Sequence, residues 1–253
     1  MLSSASAIRV IVVVCVAFFL MTFMVPDLQE FMFETFALYY PAQENFRIWQ
    51  FVTNIFMHGG FAHIFFNMYA LWAFGTPLEQ IWGKQRFLLF FFLSGIGAAL
   101  IYTFVNYLQL TSLYNEFISA GVSREHIDVF LESGRYSPET MAAMGEDQLR
   151  RLYMLFNTPA VGASGAIYGV LVAFGILFPN AKLFLILVPI PIPAKYFIPV
   201  LIGLDLFSGV TGFSIFGGGV AHFAHVGGAI IGFLLMWYWR MKFLRRRRQF
   251  GEY

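Results

Sequence analysis

The chain has 253 residues, of which 59% are apolar, 19% aromatic and only 12% charged. A soluble domain carries about 25% charge, so the composition excludes a water-soluble globular protein and points to one compact polytopic membrane domain over residues 1–253. The net charge of +2 excludes nothing as a total, and the lone cysteine, Cys15, excludes an intrachain disulfide and reads as a small buried apolar residue.

A membrane-crossing helix needs roughly 20 mostly apolar residues. In chain order six segments qualify, at about 8–25, 51–75, 87–108, 160–178, 196–216 and 220–241. The expected fold class is therefore all-α, a bundle of six transmembrane helices. The first segment has a weak basic flank (Arg9 alone) and no small-residue cleavage site in "FMVPD", so it reads as a retained span rather than a signal peptide. Residues 26–50 mix aromatics with acids and suit a partly embedded interfacial segment.

Between spans 3 and 4 lies a polar insertion, 109–158. Ser123 and Gly134 bracket one helical stretch, and Ser137 with Pro138 opens another. Two or three short helices outside the membrane are expected there. "LFLILVPIPIP" (183–193) is apolar but carries three prolines, which predicts an interfacial loop. The tail, 242–253, contains "RRRR" at 245–248; directly after a span such a run anchors topology against anionic lipid rather than binding nucleic acid.

Six spans put both termini on one side of the bilayer. Eleven of the Lys and Arg residues fall on that side and five on the other, where most of the acids also lie. The positive-inside bias makes the termini cytoplasmic, and a bacterial inner (plasma) membrane is the expected location.

Polar side chains at membrane depth are costly and are functional-site candidates by default. Span 2 carries Asn54, His58, His63 and Asn67; span 4 carries Ser164 and Tyr168; span 5 carries Asp205; span 6 carries His222 and His225. The apolar run from Ser164 stops before Pro179 after fifteen residues, about 22 Å of helix, short of the roughly 30 Å hydrocarbon core. That helix is expected to start below the surface, with Ser164 at its N-terminus. Free N–H groups and the positive end of the helix dipole there are the parts of an oxyanion hole. Gly162 and Gly165 permit a tight turn and close approach. The same glycines also fit a plain packing reading, since Gly165 and Gly169 form a GxxxG.

On span 6, His225, Gly228 and Gly232 share one helical face. Packing that face on the GxxxG of span 4 brings His225 toward Ser164, a nucleophile-and-base arrangement, with Tyr168 one turn on to stack against the imidazole. His63 and Asn67, at i and i+4, share a face and could both donate to an oxyanion, although each alone also fits an interhelical hydrogen bond. A dyad without a third carboxylate suits a site where a buried acid is expensive. Asp205 is given no catalytic role here and is expected to bond within the bundle, to His222. His58 and His222 read as structural polar residues at the outer rim.

The set "HIFFN" (63–67), "GASGAIYG" (162–169) and "AHVGGAIIG" (224–232), in this order across six spans, resembles the rhomboid family of intramembrane serine proteases. "TPLEQIWGK" (76–84) and "PIPAKY" (191–196) are similar to its connecting turns, and the resemblance covers about 45–240 apart from the insertion. It implies Ser164 as nucleophile, His225 as base and then acid, an oxyanion hole of His63, Asn67 and the Ser164 amide, and Tyr168 packed on the histidine. It also implies transmembrane protein substrates cut near the outer ends of their helices, and neither cofactor nor metal. The first loop departs from the family: Trp49-Gln50 stands where Trp-Arg is usual, which removes any pairing by that arginine. The insertion is longer than usual and ends just before Ser164, so it either shades the site, helps recognise substrates, or is inert.

Three other classes compete. A catalytically inactive rhomboid-like protein that binds membrane clients would lack the serine or the histidine, and both are here. A transporter would spread its polar residues along a route and show an inverted repeat. A metalloprotease built on His58, His63, His222 and His225 lacks the acidic base of HExxH.

Overall fold

The computed structural model describes residues 6–185, 188–213 and 221–249, the side chains of 185, 188–190 and 243–249 excepted. The side chains of the basic run 245–248 and the residues joining spans 5 and 6 at 214–220 lie outside the described residues. Among the described residues the regular elements are helices, apart from one small hairpin and a lone bridge between Leu38 and Ala160.

The first helix, α1 (Ala7–Met24), is long and apolar enough to cross a membrane. Glu79 holds its N-terminal end: one carboxylate oxygen accepts from Ala7 N–H at 2.6 Å, and the other from Ser6 Oγ at 2.6 Å and Ile8 N–H at 3.3 Å. These satisfy donors that a helix start leaves free, and the negative charge suits the dipole. Cys15 is fully buried beneath this helix's inner face.

A short helix, α2 (Leu28–Phe36), begins the first loop. Gln50 ties that loop together. Fully buried, it donates through Nε2 to the carbonyls of Glu34 (2.9 Å) and Asn45 (2.8 Å), and its Oε1 accepts from Tyr39 N–H (3.2 Å) and Arg47 N–H (3.1 Å). A neutral amide, both donor and acceptor, fills all four bonds.

Span 2 is not one regular helix. It runs through α3 (Gln50–Thr53), a 3₁₀ turn (Asn54–Phe56), α4 (Phe61–Ala70), a π turn (Leu71–Gly75) and α5 (Thr76–Trp82). The break at 57–60 includes Gly59 and Gly60 and precedes His63 by one turn. Gly83, at φ 75°, makes the turn into the next helix.

That helix, α6 (Lys84–Ser119), has 36 residues, about 54 Å at 1.5 Å each. It exceeds the hydrocarbon core, so the insertion begins as its continuation rather than as a separate loop at 109. Three further helices complete the insertion: α7 (Arg124–Ser133), α8 (Pro138–Met144) and α9 (Glu146–Asn157). Ser123 and Ser137 cap α7 and α8 by accepting from His126 N–H and Thr140 N–H, both at 3.2 Å. These helices bury their own core of Phe117, Ile127, Phe130, Leu149 and Leu152, separate from the main one.

The chain then returns through an extended stretch. Leu38 and Ala160 exchange backbone bonds at 2.9 and 2.8 Å, and Gly162 N–H donates to Asn54 O at 2.9 Å. Protein groups thus satisfy this non-helical backbone, the condition for tolerating it at depth. Central helix α10 (Ser164–Leu177) follows, with 14 residues, nearly all of its first three turns buried.

The loop expected at 183–193 is instead an antiparallel hairpin, β1 (Lys182–Leu185) and β2 (Val188–Pro193), pairing Lys182 with Pro193 and Leu183 with Ile192. Prolines on every second residue break a helix, but in a two-stranded ribbon a missing N–H can face away from the partner. Helices α11 (Ala194–Thr211) and α12 (His222–Gln249) complete the fold.

The main core gathers Ile55, Leu71, Phe87, Phe90, Phe91 and Val170 around α10. Large apolar side chains also cover the outside, such as Val13, Phe61, Phe65, Trp72 and Val210. Apolar residues on both faces mark helices that meet lipid outside and protein inside. Helices α1, α6 and α11 are each long and apolar enough to cross a membrane.

Candidate active site

The packing of α10 on α12 brings the polar residues together. A Cβ on Gly228 would collide with the carbonyl oxygen of Gly165, and one on Gly232 would lie 2.5 Å from Gly169 Cα. The two backbones therefore touch, which only glycine allows. Gly165 itself faces Ala98 of α6 and the Ala224 carbonyl.

This contact sets Ser164, the first residue of α10, against His225, in the first turn of α12. His225 Nε2 lies 2.8 Å from Ser164 Oγ. Tyr168, one turn along α10, stacks on the imidazole with ring centres 4.3 Å apart and planes 12° from parallel. Both Ser164 and His225 are half-buried, and a small cavity lined by Asn54, Tyr102, Val161, Gly162 and Ala221 opens beside the serine.

Span 2 contributes His63. Gly162, at φ 123°, is the point of closest approach: a Cβ there would lie 2.7 Å from His63 Nε2 and 3.7 Å from Ser164 Oγ. His63 Nδ1 lies 3.4 Å from Gly59 N–H, which donates to it. With Nδ1 as acceptor, a neutral imidazole carries its proton on Nε2, the nitrogen on the Ser164 side. Asn67 is buried, and its Nδ2 donates one bond to the His63 carbonyl at 2.9 Å, leaving its second amide hydrogen for another acceptor.

Two expectations need correction. His58 and His222 are buried, 1% and 8% exposed, rather than on a rim. Their rings stand beside those of His63 (5.1 Å) and His225 (6.5 Å). The second correction concerns the carboxylate. Asp205 does lie 2.6 Å from His222 Nδ1, but the same oxygen, Oδ1, also lies 3.1 Å from His225 Nδ1, and Tyr168 donates its hydroxyl to Oδ2. His225 thus has the acidic neighbour that the sequence reading left out. The missed signal is the spacing of the histidines: at i and i+3 they share a face, so an acid reaching one reaches both.

The ligand atoms of Asp205, His222 and His225 lie within 4.8 Å of one another, close enough to hold a cation. A metal would have to replace the protons now bridging each Nδ1 to the carboxylate. The two histidines of span 2, His58 and His63, are not part of this group; their rings face each other with centres 5.1 Å apart.

Taken together, a serine at a buried helix N-terminus meets one imidazole from α12 and approaches a second from α4 across Gly162. The Rhomboid domain family model matches residues 45–126 and 136–242. The chain belongs to the rhomboid family, and the unmatched gap falls within α7 and the turn after it, inside the insertion.

Similar proteins include the presenilin-associated rhomboid-like protein A, mitochondrial, of Danio rerio, 29% identical over 85% of this chain and 42% of that protein. Rhomboid protein 1, mitochondrial, of Saccharomyces cerevisiae is 28% identical over 74% of this chain and 40% of its own length. Rhomboid protease AarA of Providencia stuartii is 27% identical over 74% of this chain and 54% of its own. The chain thus spans about half the length, or less, of these relatives.

Proposed function

We propose that the chain is an intramembrane serine endopeptidase that hydrolyses peptide bonds in or near transmembrane segments of other membrane proteins. The observation that carries this reading is the 2.8 Å approach of His225 Nε2 to Ser164 Oγ at the start of a buried helix.

In this reading Ser164 Oγ attacks the carbonyl carbon while His225 Nε2 takes its proton. The negative charge on the substrate oxygen falls beside the first N–H groups of α10, His63 Nε2–H and the second amide hydrogen of Asn67. His225 then returns its proton to the departing amine, and a water molecule, activated by the same imidazole, releases the acyl product. Tyr168 keeps the ring facing the serine throughout. Gly162 gives His63 its room, and Gly165 and Gly228 hold the two helices at the distance the reaction needs. The residues invoked require no metal or cofactor.

The protein is membrane-integral. We place both termini on the cytoplasmic side of a bacterial inner membrane. The distribution of Lys and Arg, eleven against five, supports that orientation. A client-binding protein without catalysis is disfavoured by the contact between serine and histidine, which escorting a client does not use.

The test is cleavage of a model transmembrane substrate by the purified protein in liposomes. Wild type should cut it, and Ser164→Ala and His225→Ala should not. Cutting by the Ser164→Ala protein would remove the proposal.

A further inference from the structure

Asp205 lies on α11, a helix that contributes nothing else to the chemistry described above. It is 1% exposed. An acid buried at membrane depth is expensive unless its oxygens are fully occupied. Here they are: Oδ1 receives His222 Nδ1 at 2.6 Å and His225 Nδ1 at 3.1 Å, and Oδ2 receives the Tyr168 hydroxyl.

A carboxylate only accepts hydrogen bonds. Each neighbour must therefore point a hydrogen at it. For His225 this fixes the tautomer: the proton sits on Nδ1, so Nε2 keeps its lone pair, and Nε2 is the atom 2.8 Å from Ser164 Oγ. Without an acceptor at Nδ1, a neutral imidazole can place its proton on either nitrogen, and the Nε2–H form cannot take a proton from the serine. Tyr168 links the two controls on the ring, because it stacks on the imidazole and also holds the carboxylate.

We propose that Asp205 is a positioning residue that holds His225 in the base-competent tautomer and stabilises the imidazolium formed during attack, making the site a Ser164–His225–Asp205 triad rather than a dyad. This rests on the proposed protease reading. The titratable groups facing His225 are Ser164 and Tyr168 of α10, Asp205 of α11 and His222 of its own helix, with His63 across Gly162. Among the described residues Asp205 is the only acid in this group. His222 sets up the same carboxylate by donating to it. The inference concerns ring orientation and proton placement, so it has consequences that a merely structural aspartate would not.

The experiment compares wild type with Asp205→Asn on a model transmembrane substrate in liposomes, reading kcat and KM separately and melting temperature in detergent. The amide offers one acceptor oxygen and a donor nitrogen where the carboxylate offered two acceptors and a charge. The expected result is a kcat lower by about 10²- to 10⁴-fold with KM within about twofold, because Asp205 touches no substrate. A folded variant whose kcat stays within about threefold of wild type overturns the proposal.

Should Asp205→Asn fail to fold, histidine nitrogen NMR of the wild type decides, with His225→Gln used to assign the signals. A protonated Nδ1 and bare Nε2 at His225 are expected; a protonated Nε2 overturns the proposal. A wild type that neither cuts nor labels at Ser164 removes the protease reading and this inference with it. An active wild type with an indifferent Asp205→Asn removes only the inference.

Discussion

Gly228→Ala tests whether the contact between α10 and α12 sets the active-site distance. The added methyl would point into the Gly165 carbonyl, a backbone atom that cannot rotate away as a side chain can. To recover an ordinary van der Waals separation the two helices must part by roughly 1 Å or more. The overpacking falls at the upper end of the usual range, about 3 kcal/mol, which for a chain of this size corresponds to a Tm lower by about 6–12 °C. His225 lies one turn before Gly228, and Ser164 lies next to Gly165. The parting therefore acts directly on the 2.8 Å Ser164–His225 approach. A misplacement near 1 Å costs about 10²-fold in rate.

The assay pairs thermal unfolding in detergent with the rate of Ser164 labelling by a fluorophosphonate. Gly203→Ala is the control. That glycine, on α11, has nothing within 4 Å of an added Cβ, and alanine gains up to about 1 kcal/mol of helix propensity. It should keep both readouts at or above wild type. A Gly228→Ala protein with wild-type Tm and labelling rate would show that the helices do not gain their alignment from this contact.

Three other substitutions probe the supports of the site. Gly162→Ala places a side chain at φ 123° and 2.7 Å from His63 Nε2; labelling of Ser164 should fall about 5- to 150-fold for a strain of about 1–3 kcal/mol. Gln50→Ala strips partners from four buried or half-buried backbone groups of the first loop, a loss of about 3 kcal/mol that limited proteolysis at 38–50 should register as faster cleavage. Glu79→Gln keeps the shape of the α1 cap but removes its charge; Tm should fall by about 2–4 °C, for about 1 kcal/mol, with Ser164 labelling unchanged.

The parts of this structure legible in the sequence are those where one residue type has one physical meaning. Glycines at helical spacing on two segments specify a close helix pair, and that pair alone brings Ser164 and His225 together. Ser123, Ser137 and Gly134 mark helix ends because side-chain capping and positive φ are local properties. What escaped depends on contacts from elsewhere in the chain. The hairpin at 182–193 was hidden because its prolines signal a break without saying which of their faces lacks a partner. The irregular course of span 2 was hidden because the apolar pattern runs on through the 3₁₀ and π turns. Gln50 read as the absence of an arginine, whereas its four bonds come from backbone groups spread over residues 34–47. Asp205 was visible as an anomaly, but its second histidine became clear only once α11 was placed against the first turn of α12.

The central claim is that Ser164 is an activated nucleophile. It is tested most directly by treating the purified, detergent-solubilised protein with a fluorophosphonate probe, beside Ser164→Ala and His225→Ala. The account predicts labelling of the wild type alone, at Ser164. Folded wild type that stays unlabelled, or a His225→Ala protein that labels as fast as wild type, would contradict it.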